Sequence, residues 1–141
     1  MNPLASPRWQ IALGACACAA AGAYVYAVDP AQGGYPQCLL YNATGLYCAG
    51  CGATRALHAL LHGRVIEALH DNVLFVTLLP FALALALQGA ARAWKNDRWP
   101  TVTLSPRDFL VRALSLAMLA FVFATLRNLP GAPFELLRPL S

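Results

Sequence analysis

The sequence predicts an all-α integral membrane protein with about three transmembrane helices and a short amphipathic helical segment behind a cysteine-containing loop. Three observations predict it. Charged residues are 11% of the 141 positions while apolar residues are 59%, with a mean hydropathy of +0.54; an average soluble domain has roughly 25% charged residues. A domain this small has too much surface for its volume to hide so many apolar side chains from water. The apolar residues also fall into uncharged runs, and the basic residues gather at the edges of those runs, where they act as topology determinants rather than as a nucleic-acid footprint. The formal net charge of +4 therefore carries no expectation of a nucleic-acid partner. The chain reads as a single membrane domain over residues 1–141, with the lipid bilayer as its first partner.

The first run, residues 9–28, has no charged side chain and is long enough to cross about 30 Å of hydrocarbon as a helix. Trp9 at its start and Tyr24 and Tyr26 near its end occupy the interfacial positions that aromatic rings prefer, and Asp29-Pro30 stops it. A cleaved signal peptide is the competing assignment, with Arg8 as its basic start; the length of the run favours a retained helix. Cys16 and Cys18 lie inside it and are expected to be buried small side chains.

The second run covers residues 72–91. Its alternating Ala and Leu after Pro80 resembles a strand pattern, but a lone strand cannot satisfy its backbone in lipid, so a helix with a proline bend is expected. Ala82, Ala84 and Ala86 permit close packing against another helix or a second copy of the chain. The third run, residues 109–126, includes Arg112 one turn from its start, where a long side chain snorkels to the headgroups. Ser105 before Pro106 is an N-cap signal, and Arg127 bounds the far end. Arg92, Lys95, Arg98, Arg107 and Arg112 crowd the connection between the second and third spans, whereas the first connection has only Arg55 and Arg64. The amino terminus and residues 92–108 are accordingly expected in the cytoplasm, with the first connection and the tail 127–141 outside, despite Arg127 and Arg138.

That first connection holds the polar chemistry. Gly33, Gly34, Gly45, Gly50 and Gly52 make residues 29–53 a turn-rich loop, and Asn42-Ala43-Thr44 reads as a polar turn. Thr54 is expected to cap a helical segment over 54–70 that Gly63 breaks in two. Leu57, Leu60, Leu61, Val65, Ala68 and Leu69 form its apolar face, with Arg55, His58 and His62 opposite. Cys48 and Cys51, two residues apart, suit a disulfide, a dithiol redox pair or half of a tetrahedral metal site. The helix-start amides and Arg55 would lower a thiol pKa there. Cys38 is available as a third thiolate and His58 as a fourth ligand; His58 and His62, at i,i+4, are read first as interfacial histidines on a polar face.

Cys38, the run Thr44-Gly45-Leu46-Tyr47-Cys48-Ala49-Gly50-Cys51-Gly52-Ala53-Thr54-Arg55, and Ala68 through Asn72 together resemble the signature of DUF2752, a bacterial family of small membrane proteins of unknown function. The resemblance spans about residues 35 to 90. The usual family core has a proline where this chain has Ala49, and an Asn-Pro step where it has Asn72-Val73; both changes leave the thiols and Arg55 in place. The resemblance implies a bacterial cytoplasmic (inner) membrane location and no established activity. No nucleotide loop, hydrolase elbow or mid-span charge is present in the sequence. The leading expectation is a non-enzymatic structural or accessory membrane protein with no cofactor, partnered by another membrane protein or by itself. The alternative is a thiol protein that uses Cys38, Cys48 and Cys51 for redox exchange or metal binding.

Overall fold

The computed structural model describes residues 6–36, 38–100, 105–131 and 134–137. The protein is helical: α1 (Pro7–Ala27), α2 (Leu39–Thr44), α3 (Ala53–Leu61), α4 (Val65–Asn96) and α5 (Pro106–Asn128), with short 3-10 turns at Pro30–Gln32 and Phe134–Leu137. α1, α4 and α5 are each long and apolar enough to cross a membrane. Their apolar windows are almost wholly unburied by the protein itself. Phe81, Leu85, Leu87, Leu114 and Phe121 are all exposed on the chain's own surface. In water such surface would be untenable; in lipid it is the expected outer face, because tails are as apolar as leucine.

Each span begins as its residues dictate. Pro7 sits at the first turn of α1, where a missing N–H costs nothing. Ser105 caps α5, its hydroxyl accepting the Asp108 amide at 3.2 Å, with Pro106 in the first turn. In α4 the backbone leaves helical geometry at Asn72 (φ −161°, ψ 91°) and nowhere else inside the helix. The helix thus kinks at Asn72, and Pro80 lies within the stretch that follows. The Asn72 side-chain oxygen accepts the Phe75 amide at 2.9 Å, so Asn72 acts as an internal N-cap from which the apolar part of the helix starts afresh.

Three sequence expectations are corrected here. Cys16 and Cys18 are exposed on α1 rather than buried, because α1 meets the rest of the chain mainly through α3 and α4 and leaves most of its circumference to lipid. Thr54 lies inside α3; the N-cap is Gly52, held at φ +82°, a left-handed conformation that glycine adopts without Cβ strain. The packed face of α3 is built on Ala56 and Ala59 against Ala68, with Leu60, Phe75 and Val76 around them, while Leu61, Val65 and Leu69 stay exposed. Small residues win because α3 folds back closely on α4 across Gly63 (φ +74°).

At one end of the fold, Arg8 pairs with Asp97 at 3.7 Å and lies over the Trp94 ring, and the Trp99 indole donates to Gln10 at 2.6 Å. These contacts tie the start of α1 to the end of α4. The cysteine loop occupies the opposite end. α5 joins the other elements chiefly through its own C-terminal turn and the Phe134–Leu137 turn.

Candidate metal centre

The loop between α1 and α3 is built from short local closures. Asp29 caps the 3-10 turn by accepting the Ala31 amide at 2.9 Å, and the Tyr35 hydroxyl donates to the Val28 carbonyl at 3.0 Å. α2 ends at Gly45 (φ +72°), and the Thr44 hydroxyl returns to the Leu40 carbonyl at 2.7 Å, so the polar turn expected at Asn42–Thr44 is the end of a helix. A second tight turn follows, in which the Cys51 amide donates to the Cys48 carbonyl and the Cys48 amide donates to the Cys51 sulfur, both at 3.2 Å. A Cβ on Gly50 would meet the Cys48 sulfur at 3.9 Å, an ordinary contact, so Gly50 is not required there by space.

These turns bring the three loop thiols to one point. Cys48 Sγ lies 3.3 Å from Cys38 Sγ and 3.2 Å from Cys51 Sγ, and all three sulfurs fall within 4.8 Å of one another. The separations exceed the roughly 2.05 Å of a disulfide bond, so the disulfide that the Cys48–Cys51 spacing allows is not formed. The two separations from Cys48 are somewhat shorter than the edge of about 3.8 Å for thiolates bound at about 2.3 Å in a tetrahedron, so the sulfurs would spread slightly around an ion. The thiols differ in character. The Tyr41 backbone amide, followed by the neighbouring sulfurs of Cys48 and Cys51, draws the Cys38 thiol down to about 7. Burial, reinforced by the other two sulfurs, pushes Cys51 up to about 12.

The loop carbonyls are gripped by side chains from α4 and α5. Arg127 is fully buried. Its Nη1 donates to the Cys48 and Cys51 carbonyls at 3.1 and 2.9 Å, its Nη2 to the Asp71 carbonyl at 3.1 Å, and its Nε to the Leu137 carbonyl at 2.7 Å. The guanidinium also packs over Phe123, 5.1 Å from the ring centroid. Asn128 pairs with Tyr47 as a strand would, accepting its amide at 2.9 Å and donating to its carbonyl at 2.8 Å. Asn72 donates to the Ala49 and Cys51 carbonyls at 2.9 and 3.1 Å. A turn-rich loop leaves several carbonyls without backbone partners, and the forked donors of one arginine and two amides supply them.

Sequence reasoning missed this cradle. Arg127 reads as an end-of-span charge, yet it turns inward; the nearest signal was an Arg-Asn pair closing an apolar run, which any snorkelling residue also produces. Conversely, His58 does not join the thiols. It is buried, its Nδ1 donating to the Val25 carbonyl at 2.6 Å, where it fastens α3 to the end of α1. Among the described residues, the group that could hold a metal is Cys38, Cys48 and Cys51 without His58. His62 is likewise elsewhere, stacked on Tyr26 at 4.3 Å and 2°, with Nδ1 on the His58 carbonyl at 2.9 Å. The two histidines thus lie one turn apart on α3, both against α1, with His58 buried and His62 exposed.

A cavity of about 300 Å³ opens beside the sulfurs, lined by Cys38 and Cys51 together with Tyr35, Tyr41, Tyr47 and Arg55. Arg55, one residue beyond Thr54 in α3, thus stands on the cavity wall.

Residues 38–86 match the family model DUF2752, a protein of unknown function. No curated protein and no solved structure matches the chain.

Proposed function

We propose, for a chain that carries the DUF2752 segment, that its membrane helices present a three-thiolate site for a soft-to-borderline divalent cation such as Zn²⁺. The observation that carries the reading is the convergence of three sulfurs within 4.8 Å on a loop whose carbonyls are fixed by side chains from two other helices. A simple dithiol pair does not need a third sulfur at the same distance, nor a rigid backbone. Three thiolates and a divalent ion carry one net negative charge, and the Arg127 guanidinium at the back of the loop favours it electrostatically. Thiolate donors select soft and borderline metals over Mg²⁺ and Ca²⁺. Holding a metal and stabilising the loop are one property here, since an ion that binds only the folded site adds its binding free energy to the stability of that fold.

The test is metal analysis of the purified full-length protein, with thiol counting by mass spectrometry before and after chelation. One ion per chain is expected, with Cys38, Cys48 and Cys51 protected from alkylation until the chelator is added. Recovery of a Cys48–Cys51 disulfide and no metal would sink the metal reading and favour redox exchange.

We propose further that the protein lies in a bacterial inner membrane with the thiol site at the outer face; the basic residues Arg8, Arg92, Lys95 and Arg98 at the other end of the fold support that orientation. A cysteine introduced by Asn96→Cys is expected to react with a membrane-impermeant maleimide only after cells are opened. Additional labelling in intact cells, relative to the unmodified protein, would reverse the orientation.

A further inference from the structure

We infer that a small hydroperoxide empties the metal site by joining Cys38 to Cys48 as a disulfide, so that the ion is held only while these two thiols are reduced. The inference rests on the three-thiolate reading and names what regulates that site. Three observations choose the pair. Cys48 is the neighbour shared by both other sulfurs, 3.3 Å from Cys38 and 3.2 Å from Cys51, so distance alone does not decide between them. Access does: Cys38 is half-buried and lines the cavity of about 300 Å³, whereas Cys51 is buried and its sulfur also accepts the Cys48 amide. Mobility agrees with access. Arg127 bridges the Cys48 and Cys51 carbonyls and Asn72 holds Cys51 again, so the turn between them is fixed. Cys38 precedes α2, none of whose residues is buried, and can make the approach of about 1.2 Å that a bond of roughly 2.05 Å asks for.

The chemistry closes with peroxide as the oxidant. The Cys38 thiolate attacks one peroxide oxygen; an S–O bond forms, the O–O bond breaks, and the departing hydroxide takes a proton to become water. The Cys48 thiolate then attacks the Cys38 sulfur; the S–S bond forms, the S–O bond breaks, and a second hydroxide leaves as water. Two thiolates are thus oxidised by two electrons and one peroxide is reduced to two waters. The cavity admits such an oxidant readily, since the share of one water molecule in the liquid is only about 30 Å³. Oxidation takes two of the three sulfurs from the ion, and Cys51 alone is too few donors to keep it.

The experiment uses the full chain in detergent with Cys16→Ser and Cys18→Ser, which remove the two exposed thiols of α1. The protein is loaded with Zn²⁺ and titrated with hydrogen peroxide beside a chromophoric zinc indicator. Release of one ion per peroxide consumed is expected, with a maleimide then labelling Cys51 and a reductant restoring zinc binding. Metal-free Cys48→Ser, in which the second step is blocked, should accumulate a sulfenic acid at Cys38 that dimedone traps. Zinc retained at peroxide levels that oxidise free cysteine overturns the regulation and leaves the three-thiolate reading standing. Release with the maleimide on Cys38, or a dimedone adduct at Cys51 instead of Cys38, overturns Cys38 as the thiol that meets the oxidant. Faster release by oxidised glutathione than by an equal concentration of peroxide overturns the class of oxidant. Failure of the unoxidised protein to bind Zn²⁺ overturns both readings.

Discussion

Arg127→Ala is expected to open the cysteine loop, raising the alkylation rate of Cys48 and Cys51 in metal-free protein by about two orders of magnitude. The substitution strips donors from the Cys48, Cys51, Asp71 and Leu137 carbonyls together. Each buried acceptor left unpaired costs about 1–3 kcal/mol, and water entering the vacated space recovers part of the total. A net loss of about 3 kcal/mol in local opening free energy corresponds to that rate change. Arg127→Lys keeps the charge but lacks the planar fork, so it should recover only a fraction of the protection. The geometry makes a control available: Arg112, on the exposed flank of the same helix, should be replaceable by alanine with no change in labelling. If Arg127→Ala leaves the thiols as protected as before, the guanidinium is not what holds the loop.

Removal of one thiolate should be equally decisive for the metal. Cys38→Ser is expected to lower Zn²⁺ affinity by about a hundredfold or more, since an alcohol is a far poorer donor than a thiolate and structural thiolate sites hold their ion by about 10–16 kcal/mol in all. Competition against a chromophoric chelator reads the change directly. Cys16→Ser, on the exposed face of α1 and in a different element from the three loop thiols, should leave the affinity unaltered. The comparison matters because Cys38 is far from the Cys48–Cys51 pair in sequence and joins it only through α2 and the Gly45 turn. Full affinity in Cys38→Ser would reduce the site to a two-cysteine turn and remove the three-thiolate reading.

The two effects are linked by position. Arg127 touches the carbonyls of Cys48 and Cys51, while Cys38 meets the same pair from the cavity side. The loop is thus held from behind by α5 and closed in front by α2.

The membrane class and the three spans were legible in the sequence because they depend on local properties. Hydropathy over a window, a proline or serine at a helix start and a break at Gly63 all act within a few residues, and lipid imposes helix on any apolar run that crosses it. The convergence of Cys38, Cys48 and Cys51 was also within reach, since glycine turns between them shorten the path. Tertiary structure alone decided the rest. Whether His58 faces the thiols or the Val25 carbonyl depends on how α3 rolls against α1 and α4, and a roll costs little that a sequence period records. The Ala56–Ala59 face won over the leucine face because close helix approach needs small side chains, which hydropathy ranks below leucine. Arg127 and Asn72 took their roles for the same kind of reason. Each is an ordinary residue at the end or start of a span until a distant loop presents carbonyls that nothing nearer can satisfy.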